Sequence, residues 1–82
     1  MGVILMNELR RRQLGNVLTV LRSAESDIES VMDDEQYAID SMPENLQSSE
    51  RCSSMEDAVD CMLDAIESVH EAADYISEAI NK

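Results

Sequence analysis

The chain of 82 residues has no Phe or Trp, two Tyr, one Pro and two Gly. It has two Cys, one His and six Lys or Arg. Each scarcity excludes something. An all-β domain of this size needs frequent turns and strands rich in β-branched or aromatic residues, and the chain offers neither. A membrane span needs about 18 consecutive apolar residues, whereas the longest apolar run is Val3–Met6. Cys52 and Cys61 lie nine residues apart across a predicted helix start, poor geometry for a bridge. Two Cys and one His cannot complete a structural zinc site within one chain. Both are read as reduced thiols, which points to the cytoplasm. No signal peptide is legible, because the apolar stretch is short and Arg10, Arg11 and Arg12 follow it. Gly2 is not in a myristoylation pattern, since Met6 stands where Ser or Thr is required.

What is present is acid and helical periodicity. Asp and Glu number 18, for a formal net charge of −12, yet 44% of the residues are hydrophobic. A periodic apolar pattern at that content argues against full disorder. The expectation is one small acidic all-α domain spanning 1–82, with residues 1–6 a tail.

Pro43 divides the chain, because the residue before a proline is pushed out of the helical region. A first helix is predicted over 7–41, with its stripe at Leu14, Val17, Leu21, Ala24, Ile28, Val31, Ala38 and Met42 and a gap at Glu35. Leu18, Met32 and Ile39 widen that stripe. Gly15 is the weak point, costing about 1 kcal/mol relative to Ala in a helix interior, so a bend or fray is expected there, with Asn16 as a second cap. A second helix is predicted over 54–81. Met55, Val59, Met62, Ile66, Val69, Ala73, Ile76 and Ile80 alternate by four and three without a miss. Ala58, Ala65, Ala72 and Ala79 recur every seven residues beside that seam, where a methyl group lets a partner helix approach closely. Ser53 followed by Glu56 reads as a capping box. The connector, 42–53, is predicted to be ordered around a short helical turn started by Pro43, with Leu46 pinning it to the end of the bundle.

A short connector between two long helices implies an antiparallel hairpin. Two helices alone leave half of each apolar stripe in water. The expected solution is a homodimer forming a four-helix bundle or coiled coil. The residues expected to self-associate are Leu14, Val17, Leu21, Ile28, Val31, Met55, Val59, Met62, Ile66, Val69, Ala73, Ile76 and Ile80. Residues 1–22 carry four Arg and one acid, whereas 23–82 carry seventeen acids and two bases. Folding back brings Arg10–Arg12 towards Asp74 and Glu78, which favours orientation more than stability.

Candidate chemistry is sparse. Glu67-Ser-Val-His70 is a Glu-x-x-His on a helix, the spacing that binds metal in di-iron bundles, so Glu67 and His70 are a metal alternative. Glu67 nevertheless falls on the outward face and His70 at a flank, so the primary reading assigns no metal and no cofactor. Asp57-x-x-Asp60 and Glu71-x-x-Asp74 are similar to the magnesium ligands of helical nucleotide pyrophosphohydrolases. Those enzymes add a Glu-x-x-Glu on an earlier helix, which the first helix lacks. No nucleophile with an activating base and no Gly-rich phosphate loop is legible, so no enzymatic activity is expected. Direct nucleic-acid binding is disfavoured, because phosphates repel an acidic chain. The inverse is the sharper reading: Asp57, Asp60, Asp64, Glu67, Glu71, Asp74 and Glu78 form a row of carboxylates that could imitate a phosphate backbone and occlude a basic protein surface. The plain alternatives are a solvated acidic face and a purely structural coiled coil.

The connector Met42-Pro-Glu-Asn-Leu-Gln-Ser-Ser-Glu-Arg51, set between two acidic heptad helices, resembles that of small uncharacterised helical proteins of Gram-positive prophages and mobile elements. The resemblance covers about residues 30–80. It implies a phage accessory role, including interference with a host protein, and carries no residue assignments.

Overall fold

The computed structural model describes residues 7–82. The tail expected over residues 1–6 lies outside the described residues. Helix α1 spans Glu8–Asp40, a 3-10 turn spans Glu44–Leu46 and helix α2 spans Glu50–Ile80; among the described residues there is no strand. The chain is thus the expected all-α antiparallel hairpin. At 1.5 Å per residue the helices are about 50 and 46 Å long.

Local chemistry sets the boundaries. The Asn7 side chain accepts the Arg10 backbone N–H at 2.9 Å, and acidic Glu8 suits the positive end of the helix dipole. Helix α1 then runs unbroken through Gly15, contrary to the expected bend or fray. One poor helix former among 33 residues is outweighed by the packed turns on either side. Pro43 ends it as expected: Ser41 and Met42 donate back to the carbonyls of Tyr37 and Ile39, and the helix stops. Pro43 precedes the 3-10 turn, whose Leu46 N–H returns to the Pro43 carbonyl at 2.8 Å. The Gln47 side chain closes the connector by donating to the Met42 carbonyl at 3.2 Å.

Two connector expectations are corrected. Leu46 is 45% exposed and not part of the buried core; Met42 is the half-buried residue at that end. Helix α2 begins four residues before the predicted start, capped by Ser49, whose hydroxyl accepts the Cys52 N–H at 3.1 Å. Ser53 lies inside the helix. Both serines look alike in sequence, but only Ser49 follows directly on the 3-10 turn, its own N–H bound to the Leu46 carbonyl.

The earlier start brings Cys52 into the heptad seam, where it is 1% exposed. From there the α2 seam runs Cys52, Met55, Val59, Met62, Ile66, Val69, Ala73, Ile76 and Ile80, all buried or half-buried. The α1 seam departs from the predicted stripe. It runs Leu14, Leu18, Leu21, Glu25, Ile28, Met32, Glu35 and Ile39, an uninterrupted alternation of four and three. Leu18, Met32 and Ile39, predicted only to widen the stripe, form the seam itself. Val17 and Val31, predicted as stripe residues, are 45% and 58% exposed, and Ala38 is exposed too. The hydrophobic pattern alone hides this register, because two of its seam positions are glutamates. Among the described residues only Ile39, Cys52, Ile66 and Ala73 are buried, so the hairpin is a single layer with a thin core.

Candidate functional site

The seven carboxylates singled out on α2 all lie on exposed residues. Counted from the seam they alternate between two heptad positions: Asp57, Asp64, Glu71 and Glu78 at the one farthest from α1, and Asp60, Glu67 and Asp74 at the one beside the polar flank, where Asp74 meets Arg22. They are not equivalent. Asp74 is approached by Arg22 at 3.3 Å and by the His70 ring at 3.6 Å, and Glu78 by Lys82 at 3.8 Å. For Asp57, Asp60, Asp64, Glu67 and Glu71 no such partner occurs among the described residues.

The Arg pairing expected from sequence is corrected in detail. It is Arg22, about three helix turns after Arg12 along α1, that meets Asp74. Arg11 donates instead to the carbonyl of Ile80 at the end of α2, where a cation suits the negative pole of the dipole. An exposed ion pair such as Arg22–Asp74 contributes at most about 1 kcal/mol.

One polar cluster bridges the helices. Glu25 sits in the α1 seam, and its carboxylate lies 2.8 Å from His70 Nδ1. Arg22 approaches the same nitrogen at 3.4 Å. A ring nitrogen cannot donate to one and accept from the other. The shorter contact makes Nδ1–H the donor to Glu25, with Arg22 beside the pair donating through Nη2 to Asp74 at 3.3 Å. Beside this cluster lies an open groove of about 430 Å³, lined by Glu25, Glu29, Glu67, His70, Glu71 and Asp74 over Ile66.

The Glu67–His70 metal alternative gains nothing from this geometry. The His70 nitrogen nearest a carboxylate is engaged by Glu25, and among the described residues no group of three His, Cys, Asp or Glu is placed to hold a metal ion. The thiols differ sharply. Cys61 is exposed, while Cys52 is buried and donates to Glu56 at 3.3 Å. Burial pushes the Cys52 thiol above its ordinary value, and the Glu56 carboxylate pushes it in the same direction. A thiol held neutral in this way is a poor nucleophile. No described helix is long and apolar enough to cross a membrane.

Sequence reasoning missed the larger electrostatic feature, which appears only once the helices are folded together. The open end, residues 7–22 with 67–82, carries five acids and five bases and is neutral with His70 uncharged. The connector half, residues 23–66, carries thirteen acids and one Arg, and so holds the entire net charge of −12. The split was readable once α1 and α2 were paired end to end.

No protein-family model matches the chain, and no curated protein or solved structure matches it.

Proposed function

We propose that the hairpin is a non-enzymatic, self-associating acidic interaction protein that occludes a basic surface of another protein. The observation that carries this reading is the concentration of charge. Twelve net negative charges lie on a half-rod about 30 Å long, roughly one per 2.5 Å, against one per about 1.7 Å along duplex DNA. A surface of that density attracts the same basic patches that bind phosphate. The partner surface centres on Asp57, Asp60 and Asp64, continues through Glu67 and Glu71, and fades at Asp74 and Glu78, which the open-end bases partly neutralise. Two free cysteines suit a cytoplasmic setting, and the connector's resemblance to prophage proteins suits a phage accessory role.

The test uses the tagged full chain on nuclease-treated host lysate with a salt series, beside the variant D57N/D60N/D64N/E67Q. The expected result is one basic protein that elutes at moderate salt, is displaced by duplex DNA, and is not captured by the helical variant. Equal capture by the variant, or capture insensitive to salt, overturns the reading.

A further inference from the structure

The two flanks of the helix–helix seam differ in kind. On one flank α1 presents Gly15, Arg22, Glu29 and Gln36, and α2 presents Glu56, Leu63, His70 and Ser77, with Leu63 45% exposed; this is the side of the polar groove. On the other flank α1 presents Val17, Ala24, Val31 and Ala38, and α2 presents the four alanines spaced by seven. Here a second groove, about 330 Å³, is lined by Ile28, Val31, Met62 and Ala65, with Asp27 at its rim. Val31 is 58% exposed on this side. From Val17 to Ala38 and from Ala58 to Ala79 the flank positions themselves carry no charge, and Asp27 stands at the rim.

Val17 and Val31 are 45% and 58% exposed, and from Val17 to Ala38 the flank runs about 31 Å along α1; each partner in a standard interface contributes about 800 Å². Small side chains there allow interaxial distances near the short end of the 8–10 Å range.

Charge then selects the orientation. Two hairpins side by side in the same direction would set two connector halves of −12 against each other. Reversed, each connector half lies along a neutral open end. Across a close-packed flank the separation is comparable to the roughly 8 Å screening length at physiological salt, so the difference is not screened away.

We propose that a second copy of this chain covers the alanine–valine flank and lies antiparallel to the first, each connector end beside the partner's open end. The outward acidic rows stay exposed in this arrangement. The inference rests on the self-association part of the proposed function and not on its basic partner.

Sedimentation equilibrium of the full chain at about 150 mM salt is expected to give twice the chain mass of 9.2 kDa. The variant A65E/A72E is expected to give the single-chain mass, while Q36E/S77E on the opposite flank keeps the dimer. Should A65E/A72E fail to fold, the small substitution A65C in a C61S background tests the same face. Its thiol is expected to alkylate at least about tenfold more slowly at a concentration where the wild-type chain is dimeric than at one where it is monomeric. Orientation is read from a nitroxide on S48C, also in a C61S background. Antiparallel copies hold the two labels about 45 Å apart or more, whereas parallel copies bring them within about 25 Å. A single-chain mass for the wild type overturns both this inference and self-association. A dimer indifferent to A65E/A72E, an A65C thiol that reacts equally fast at both concentrations, or the short label distance overturns the inference alone.

Discussion

The register of α1 can be decided by comparing Ile39→Ala with Val31→Ala. The hydrophobic stripe read from sequence makes Val31 a seam residue and Ile39 a residue that only widens it; the folded hairpin reverses them. Ile39 is 8% exposed, and truncation removes three buried carbons. At about 0.8 kcal/mol per carbon, plus a modest cavity term at an end that can partly relax, the cost is about 3 kcal/mol. Val31 is 58% exposed, and truncation removes two methyl groups less than half covered. That costs about 0.7 kcal/mol, of which the better helix propensity of Ala returns most. The net effect within one chain is near zero. The assay is urea unfolding followed by far-UV circular dichroism, with equal slopes required for a fair comparison. A domain of this length has a total stability of about 4–12 kcal/mol, so Ile39→Ala should shift the midpoint strongly. At the lowest workable concentration, a Val31→Ala cost equal to or above that of Ile39→Ala refutes the assigned seam. A Val31→Ala cost that appears only as concentration rises would belong to the proposed second copy on that flank.

Two further outcomes follow from single residues. Gly15→Ala should stabilise the chain by about 1 kcal/mol and raise the melting temperature by several degrees, because Gly15 is helical and nothing lies within 4 Å of the position its Cβ would take; a lowered melting temperature would mean that a close neighbour needs the bare backbone. Cys52 should resist alkylation in the native chain while Cys61 reacts at once, and the raised Cys52 pKa sets a pH dependence. Native burial favours the neutral thiol, so this contribution is fully present below the ordinary value of 9.0 and is lost as pH rises through and above it, while the unfolded chain gives up its proton more readily. Stability measured across pH 8–11 should therefore fall more steeply for the wild type than for Cys52→Ala; identical slopes would remove Cys52 as the cause.

Most of the architecture was legible because α2 repeats its pattern without interruption from Met55 to Ile80 and Pro43 can end only a helix that precedes it. The misreadings share one cause: local patterns that are chemically degenerate. Val17 and Leu18, or Val31 and Met32, are neighbours of similar hydrophobicity, and the stripe that avoids Glu25 looks better on a hydropathy count. The folded chain tolerates Glu25 in the seam because His70 reaches across to it, a contact between residues 45 apart that no local window contains. Ser49 and Ser53 compete as caps on equal chemical terms, and the preceding 3-10 turn decides between them. The candidate acidic surface was legible as a row, since exposure follows from the heptad. Its uneven neutralisation was not, because that depends on which arginine faces which carboxylate across the hairpin.

The distribution of charge bears on whether the acid serves more than solvation. Solubility responds to net charge and is indifferent to where along the rod it lies. Spreading twelve uncompensated charges over both ends would lower their mutual repulsion, which opposes folding. The chain does the opposite: four of its six bases lie between Arg10 and Arg22, opposite the last turns of α2, where Arg11 and Arg22 reach across to Ile80 and Asp74. Only Arg51 interrupts the acids of the connector half. A balanced end and a fully charged end on one rigid hairpin give a direction to the molecule's field, and a directed field is what orients a protein towards a charged partner or against a copy of itself. The apolar flank and the acidic outer rows occupy separate positions of the same heptad, so a second copy can cover the first without masking the second. The proposed self-association and the proposed capture of a basic partner would therefore use different faces of one small hairpin.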